Sequence, residues 1–288
     1  MKKIHIQHFF DSATSTLTYV VHDPETLDAV IIDPVWNYGP GSSKLSTSSM
    51  EKVVMYLNEH QLKPHFVMET HAHADHLSSS QLFKNIFPNI RVAIGERITE
   101  VQKLFNPVFN ITKDFNTFGI HFDVLLKDGE VLNAGSLRVK TLFTPGHTPA
   151  CSSYLIDDAL FTGDAIFMPD SGTGRCDFPA GSAEALFDSI TNRIYTLPDS
   201  TRIFVCHDYQ PEGRDLRFET TVGEEKEKNI QLKGETKKEE FVEFRKARDA
   251  TLSAPKLLLP SIQINIRAGH LPEPEGNGIS YLKLPLRQ

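Results

Sequence analysis

The stretch ETHAHADHLSS, Glu69 to Ser79, gathers His71, His73, Asp75 and His76 directly behind the apolar run Phe66, Val67, Met68. Imidazoles and carboxylates at this density suit a transition metal such as zinc or iron, whereas magnesium and calcium prefer oxygen shells. In an extended chain, side chains two apart point to the same side. His71, His73 and Asp75 therefore converge, and His76 joins them if the chain turns. A lone histidine reads most simply as a hydrogen-bonded polar residue, but this cluster reads as metal binding. Distant segments repeat the arrangement. FTPGHTPACSSY sets His147 in a turn made by Pro145 and Gly146, LFTGDAIF sets Asp164 behind Gly163, and IFVCHDYQ sets His207 after a third apolar run. Each reads as strand, small turn, ligand, which holds the donors on rigid elements.

Strands and turns must carry these donors, and the chain reads accordingly. Ile4 to Phe10, Ser15 to His22 and Ala29 to Ile32 are β-rich, with a turn at Asp23, Pro24 and Glu25. Ser48 and Glu51 have capping-box spacing, which predicts a helix from Ser48 to about Gln61. Phe66 to Glu69 reads as the strand that ends in the cluster, followed by a short helix from Ser79 that Pro88 ends. Val92 to Ile94 reads as a strand, and the segment from Glu96 as a helix up to Pro107. Ser136 to Thr144, Ser152 to Ile156 and Ala159 to Thr162 read as strands, the last two as a hairpin about Asp157 and Asp158. Apolar spacing at Ala183, Leu186, Phe187 and Ile190 predicts a helix over Ser182 to Tyr195. Arg202 to Cys206 reads as the strand that delivers His207. In the last quarter, Glu224 to Lys228 and Glu235 to Glu240 are dense in charge and read as solvated helix faces. There Thr236 and Glu239 are spaced to cap a helix to about Ala250. Strands alternating with helices, several ending in ligand-type residues, imply a layered α/β or α+β domain with its chemistry on loops along one sheet edge.

The 288 residues suffice for a sizeable core without disulfides. The cysteines, Cys151, Cys176 and Cys206, are widely spaced and odd in number. That fits a reducing, cytoplasmic compartment, and Cys176 and Cys206 read as small buried residues. The opening residues MKKIHIQHFFDS lack the apolar stretch of a secretory signal. No apolar run reaches the roughly 20 residues of a membrane span. A formal net charge of -7 with scattered basic residues disfavours nucleic acid as a partner. Nothing marks an internal linker, so a single domain is expected over residues 1–288, with a core of 1–210 carrying the motifs and a helical, substrate-side extension of 211–288 packed on it. The sequence leaves the assembly open, a homodimer being the commonest form.

Taken in order, H-x-H-x-D-H, TPGHT, FTGD and the late histidine resemble the metallo-β-lactamase superfamily over roughly Phe9 to Tyr209. The resemblance implies an α+β fold, an αββα sandwich with metal at the edge between two sheets. It also implies one site from His71, His73 and His147, another from Asp75, His76 and His207, and Asp164 between them. Asp33, in VIIDPVW, matches a strand-end aspartate of the superfamily and reads as structural.

A narrower resemblance rests on ETHAHADH, TPGHTPAC, GTGRCDF, HDYQ and LPSIQINIRAG, which are similar to the persulfide dioxygenase branch. Glyoxalase II, a thioester hydrolase, shares most of the metal residues. The branch implies an oxidoreductase of sulfide metabolism that converts glutathione persulfide and O2 to sulfite and glutathione with one Fe(II) per chain. Carried over, His71, His147 and Asp164 hold the iron and act in catalysis. His73, Asp75, His76 and His207 then surround them or hold a second metal. The alternative is a glyoxalase II-like hydrolase with one or two Zn(II). In SGTGRCDFPAG, Arg175 offers a bidentate fork to a carboxylate such as those of glutathione, or stabilises its own loop by bonding Asp177. Tyr209 and Arg267 are further candidates for substrate contact.

Overall fold

The computed structural model describes residues 4–111 and 115–286; Lys2 and Lys3 of the opening segment lie outside them. The first half of the chain runs β1 (His5–Asp11), β2 (Thr16–His22), β3 (Asp28–Ile32), β4 (Val35–Gly39), β5 (Lys44–Ser46), α1 (Ser48–Glu59), β6 (Lys63–Glu69), β7 (Leu77–Ser78), α2 (Ser80–Ile86), β8 (Arg91–Gly95), α3 (Ile98–Val108) and β9 (Val124–Leu126). The second half runs β10 (Val131–Ala134), β11 (Leu137–Phe143), β12 (Ser152–Ile156), β13 (Ala159–Phe161), α4 (Ala183–Ser189), β14 (Arg202–Phe204), β15 (Glu219–Thr221), α5 (Val222–Lys228), α6 (Lys238–Asp249) and α7 (Leu258–Asn265).

The strands form two large sheets, β1-β2-β3-β6-β8-β9 and β10-β11-β12-β13-β14-β15, and a small one, β5-β4-β7. Period-two alternation decides what each face meets. Leu17, Tyr19 and Val21 of β2, Val30 and Ile32 of β3, and Phe66 and Met68 of β6 join Val139, Tyr154 and Ile156 of the second sheet in one core. The intervening Val20, Ala29, Ile31 and Val67 pack instead on Met50, Val53 and Leu57 of α1 and Phe83 of α2. Leu186 of α4 and Phe241 of α6 enter the same buried cluster as the second sheet. Helix, sheet, sheet and helix are thus layered as an αββα sandwich. No helix among the described residues is long and apolar enough to cross a membrane.

Strand direction puts the donors on one edge. β3 and β6 are parallel, so Asp33 and the histidine cluster follow neighbouring strand ends. β11 and β13 both run antiparallel to β12, and β13 is parallel to β14. The residues after β11, β13 and β14 therefore emerge together, and these are His147, Asp164 and His207.

Several local expectations need correction. Thr47, not Ser48, precedes α1, and its hydroxyl donates to Glu51 Oε1 at 2.6 Å, because Ser48 Oγ is engaged by Asn37 Oδ1. Thr236 does not cap α6; Lys237 precedes the helix, and Thr236 Oγ1 accepts from the Lys233 N–H instead. Pro107 lies inside the last turn of α3 rather than ending it. The charged run from Glu224 is not wholly solvated, since Glu225 is fully buried and accepts from Asn229 Nδ2 at 2.7 Å.

Candidate metal centre

Two glycines make the strand-end turns feasible. Gly146, at φ 149°, has Leu186 where a Cβ would stand, and Gly163, at φ 52°, would bring one to 2.6 Å from Thr70 Oγ1. Asp33 itself adopts φ 48°, a conformation that costs energy in a non-glycine residue and persists where the surroundings fix it. Here they do. Asp33 accepts from the Thr70 N–H at 2.7 Å, the Thr70 hydroxyl at 2.8 Å and His73 Nε2 at 2.9 Å.

Each histidine in the cluster has one ring nitrogen tied to the protein. The Thr70 hydroxyl gives its proton to Asp33, so at 3.1 Å it accepts from His71 Nδ1. His147 Nδ1 donates to the Arg175 carbonyl at 2.7 Å, and His207 Nδ1 to the Ser15 carbonyl at 3.3 Å. His76 Nδ1 lies 3.4 Å from both Thr16 Oγ1 and Asp75 Oδ1. The other nitrogens are what a metal requires. His71 Nε2, His73 Nδ1 and His76 Nε2 are buried without a hydrogen-bond partner, while His207 Nε2 faces the Asp75 carboxylate at 3.0 Å. Orphaned donors and acceptors at this depth are costly, and a cation facing these lone pairs relieves the cost. The residues fit a metal.

The donors fall into two main groups, each with ligand atoms within 4.8 Å of one another. His71, His147 and Asp164 form one; His73, Asp75, His76 and His207 form the other. His73 stands beside both groups, its ring centroid 4.0 Å from that of His71 and 4.1 Å from that of His76. Asp164 stands between the groups, with Oδ2 3.6 Å from His147 Nε2 and Oδ1 3.3 Å from His207 Nε2.

Their electrostatics differ. Burial holds the His71 imidazole well below its ordinary value, and His73 beside it adds to the effect. Burial pulls His73 down too, but the Asp33 carboxylate outweighs it and lifts the ring to about 10. Burial is likewise outweighed at His207, which Asp75 raises well above the ordinary value. At Asp164 burial favours the neutral acid, but His207 overrides it and keeps the carboxylate ionised. The first group therefore offers a neutral imidazole and a carboxylate, whereas a metal at the second must displace protons from His73 and His207.

A cavity of about 420 Å³ opens on this floor, lined by Asp75, His147 and Asp164 below and by Arg175, Tyr209 and Lys256 towards the rim. Arg175 is already engaged. Its Nε and Nη2 donate to Asp177 at 2.6 Å each, and its Nη1 donates to the Ser253 carbonyl. Tyr209 stacks on His207 with ring centroids 5.7 Å apart. Arg267 does not line the cavity; its guanidinium lies 4.6 Å from the Phe115 ring centroid. Lys256, which sequence reasoning missed, makes no hydrogen bond or ion pair among the described residues. Burial pushes the thiols of Cys151, Cys176 and Cys206 up, Cys151 to about 12, so all are poor nucleophiles. Glu69 was also missed: it accepts from Ser78 and Ser80 and lies 3.4 Å from His73 Nε2.

Residues 12–207 match the family described as the Metallo-beta-lactamase superfamily. Glyoxylase B2 of Dictyostelium discoideum is 47% identical over 285 residues, 99% of this chain and 97% of that protein. The mitochondrial persulfide dioxygenase ETHE1 of Homo sapiens is 30% identical over 92% of this chain and 88% of its own. Among solved structures, ETHE1 from Myxococcus xanthus superposes with a TM-score of 0.73 at 30% identity, covering 92% of this chain and 100% of that one.

Proposed function

This chain belongs to the metallo-beta-lactamase superfamily, and from that premise we propose that it is a persulfide dioxygenase holding one Fe(II) through His71, His147 and Asp164. The observation that carries the reading is the convergence of those three side chains, two of which, His147 and Asp164, line an open cavity. Two imidazoles and one carboxylate on one face leave the remaining positions free, the donor set of non-haem iron oxygenases. The likeness to the Myxococcus xanthus structure, which spans that whole chain, supports it.

When bound, Fe(II) supplies a redox-active centre open to both a sulfur ligand and O2. The chain's own residues prepare for it. Thr70 and the Arg175 carbonyl hold Nδ1 of His71 and His147, which leaves Nε2 of each for a metal. His207 keeps Asp164 ionised and oriented, in the manner of outer partners that tune a metal site. Burial of the floor excludes bulk water, while Lys256 and Tyr209 stand where the carrier of a glutathione-type persulfide would reach the rim. The net change balances as RS–SH, O2 and water giving RSH, sulfite and two protons. The terminal sulfur is oxidised, and the carrier thiol leaves with a proton.

His71→Ala and Asp164→Asn test the assignment. Each is expected to lose bound iron and at least about a hundredfold of sulfite formation, read by elemental analysis and a sulfite assay. Full activity in either variant would refute it.

A second reading has its own support. The other four donors are intact and close, and the relative named glyoxylase B2 is 47% identical. With zinc in both groups the site would activate water for thioester hydrolysis. Cleavage of a glutathione thioester by zinc-loaded protein, unaffected by removing O2, would favour it.

A further inference from the structure

We infer that Asn265, at the end of α7, is a positioning residue of the metal centre, because its single carboxamide holds the loop that carries His73, Asp75 and His76. Asn265 is 4% exposed. Its Nδ2 donates to the backbone carbonyls of His73 and of His76, both at 2.8 Å, and its Oδ1 accepts from the Ser78 N–H at 2.8 Å. These bonds use both amide donors and bracket the turn in which the chain passes from one metal donor to the next. Without the amide, two buried carbonyls and an N–H would need other partners.

The packing around Asn265 explains why it can act at this distance. In the signature HAHAD the donors His71, His73 and Asp75 alternate with Ala72 and Ala74. The two alanines lie in a buried cluster with Ile262, Ile266 and Ala268 of the C-terminal segment. Leu77, just past the loop, packs with Trp36 and Ile264. Gln102 of α3 anchors the end of α7 by donating to the Ile266 carbonyl at 2.8 Å. α7 is therefore a backing for the signature, and Asn265 is its side chain that hydrogen-bonds the loop. Isoleucine against alanine holds the loop in place, but only the amide fixes where the His73 and His76 carbonyls point, and with them the convergence of the donors. α7 lies beyond residues 12–207 that match the superfamily, whereas every metal motif lies within them. The role holds for iron or zinc and for either reaction.

The test is a Co(II) titration of metal-depleted protein, read by visible absorption, beside thermal unfolding of the metal-free chain. Asn265→Ala is expected to bind Co(II) about 10- to 100-fold more weakly, the range for outer partners of metal ligands, with an altered absorption band. Gln263→Ala is the control. Gln263 is also 4% exposed on α7, but it bonds Leu259 and Lys283 and not the loop. It should lose stability and keep native Co(II) binding. Asn265→Asp retains the acceptor for Ser78 and lacks the donors for His73 and His76, so it should follow Asn265→Ala. Native affinity and spectrum in the Asn265 variants, or an equal loss in Gln263→Ala, would overturn the inference. Amide exchange on the native chain gives an arm that needs no variant. Co(II) should protect residues 73–78 and α7 together, and protection confined to the loop would contradict the coupling. Neither readout involves sulfite, so failure of the dioxygenase reading leaves this result independent.

Discussion

The histidines owe their readiness for metal to groups outside their motif. Thr70, Asp33, the Arg175 carbonyl and the Ser15 carbonyl each occupy one ring nitrogen and leave the other turned inward. The density of imidazoles from His71 to His76 was legible because so many metal-type donors in six positions have little use except to hold a metal. Their carbonyl and amide partners were not, since such contacts depend on which loops the fold brings together. Arg175 shows the limit. Its loop-stabilising bond to Asp177 and its place in the cavity are both present, and sequence alone could not rank them. With that guanidinium engaged, Lys256, which has no partner among the described residues, is left to meet a substrate carboxylate. Lys256→Ala is expected to raise KM for glutathione persulfide about tenfold, equivalent to roughly 1.4 kcal/mol, with kcat within about twofold. An unchanged KM in steady-state kinetics would remove Lys256 from substrate recognition.

Elements with a clear period were recovered, and those without one were not. β2 and β3 are buried on both faces yet rich in β-branched residues, β6 shows the apolar run Phe66 to Met68, and α4 shows its apolar stripe. β4, β5 and β7 are short and share no pattern, so the small sheet escaped notice. α7 escaped for a different reason. Ser261 to Asn265 are all buried, so no amphipathic stripe forms, and the isoleucines mimic a strand. α5 conceals a buried acid in a charged run. Burial raises the Glu225 carboxyl from its ordinary 4.5 to about 8. Between those values the unfolded chain releases a proton that the folded chain keeps. The contribution of Glu225 to stability is therefore intact below about pH 4.5 and declines as pH rises towards 8. Urea unfolding at pH 5 and pH 8 should show the native chain losing up to about 3 kcal/mol more than Glu225→Gln over that interval. Parallel pH profiles for the two proteins would contradict this.

At the scale of the whole molecule, the metal centre joins the two sheets. His71 follows β6 of the first, while His147, Asp164 and His207 follow β11, β13 and β14 of the second. A layered domain was legible from the alternation of strands with helices, and the αββα sandwich from the family resemblance that the motifs carry. The sequence also suggested a substrate-side C-terminal extension, but not which of its residues meet the site. Arg267 was the residue singled out there, whereas Asn265, Lys256 and the Ser253 carbonyl are the groups that reach the metal loops or the cavity. Fold does not select chemistry, and the same seven donors serve an iron oxygenase or a zinc hydrolase.

The most direct test is oxygen consumption by iron-loaded protein supplied with glutathione persulfide, with sulfite measured alongside in air and under anaerobic conditions. The proposed function requires one O2 consumed per sulfite formed and no turnover without O2. Turnover that continues anaerobically, or protein that cleaves a glutathione thioester but takes up no O2 with the persulfide, would contradict it.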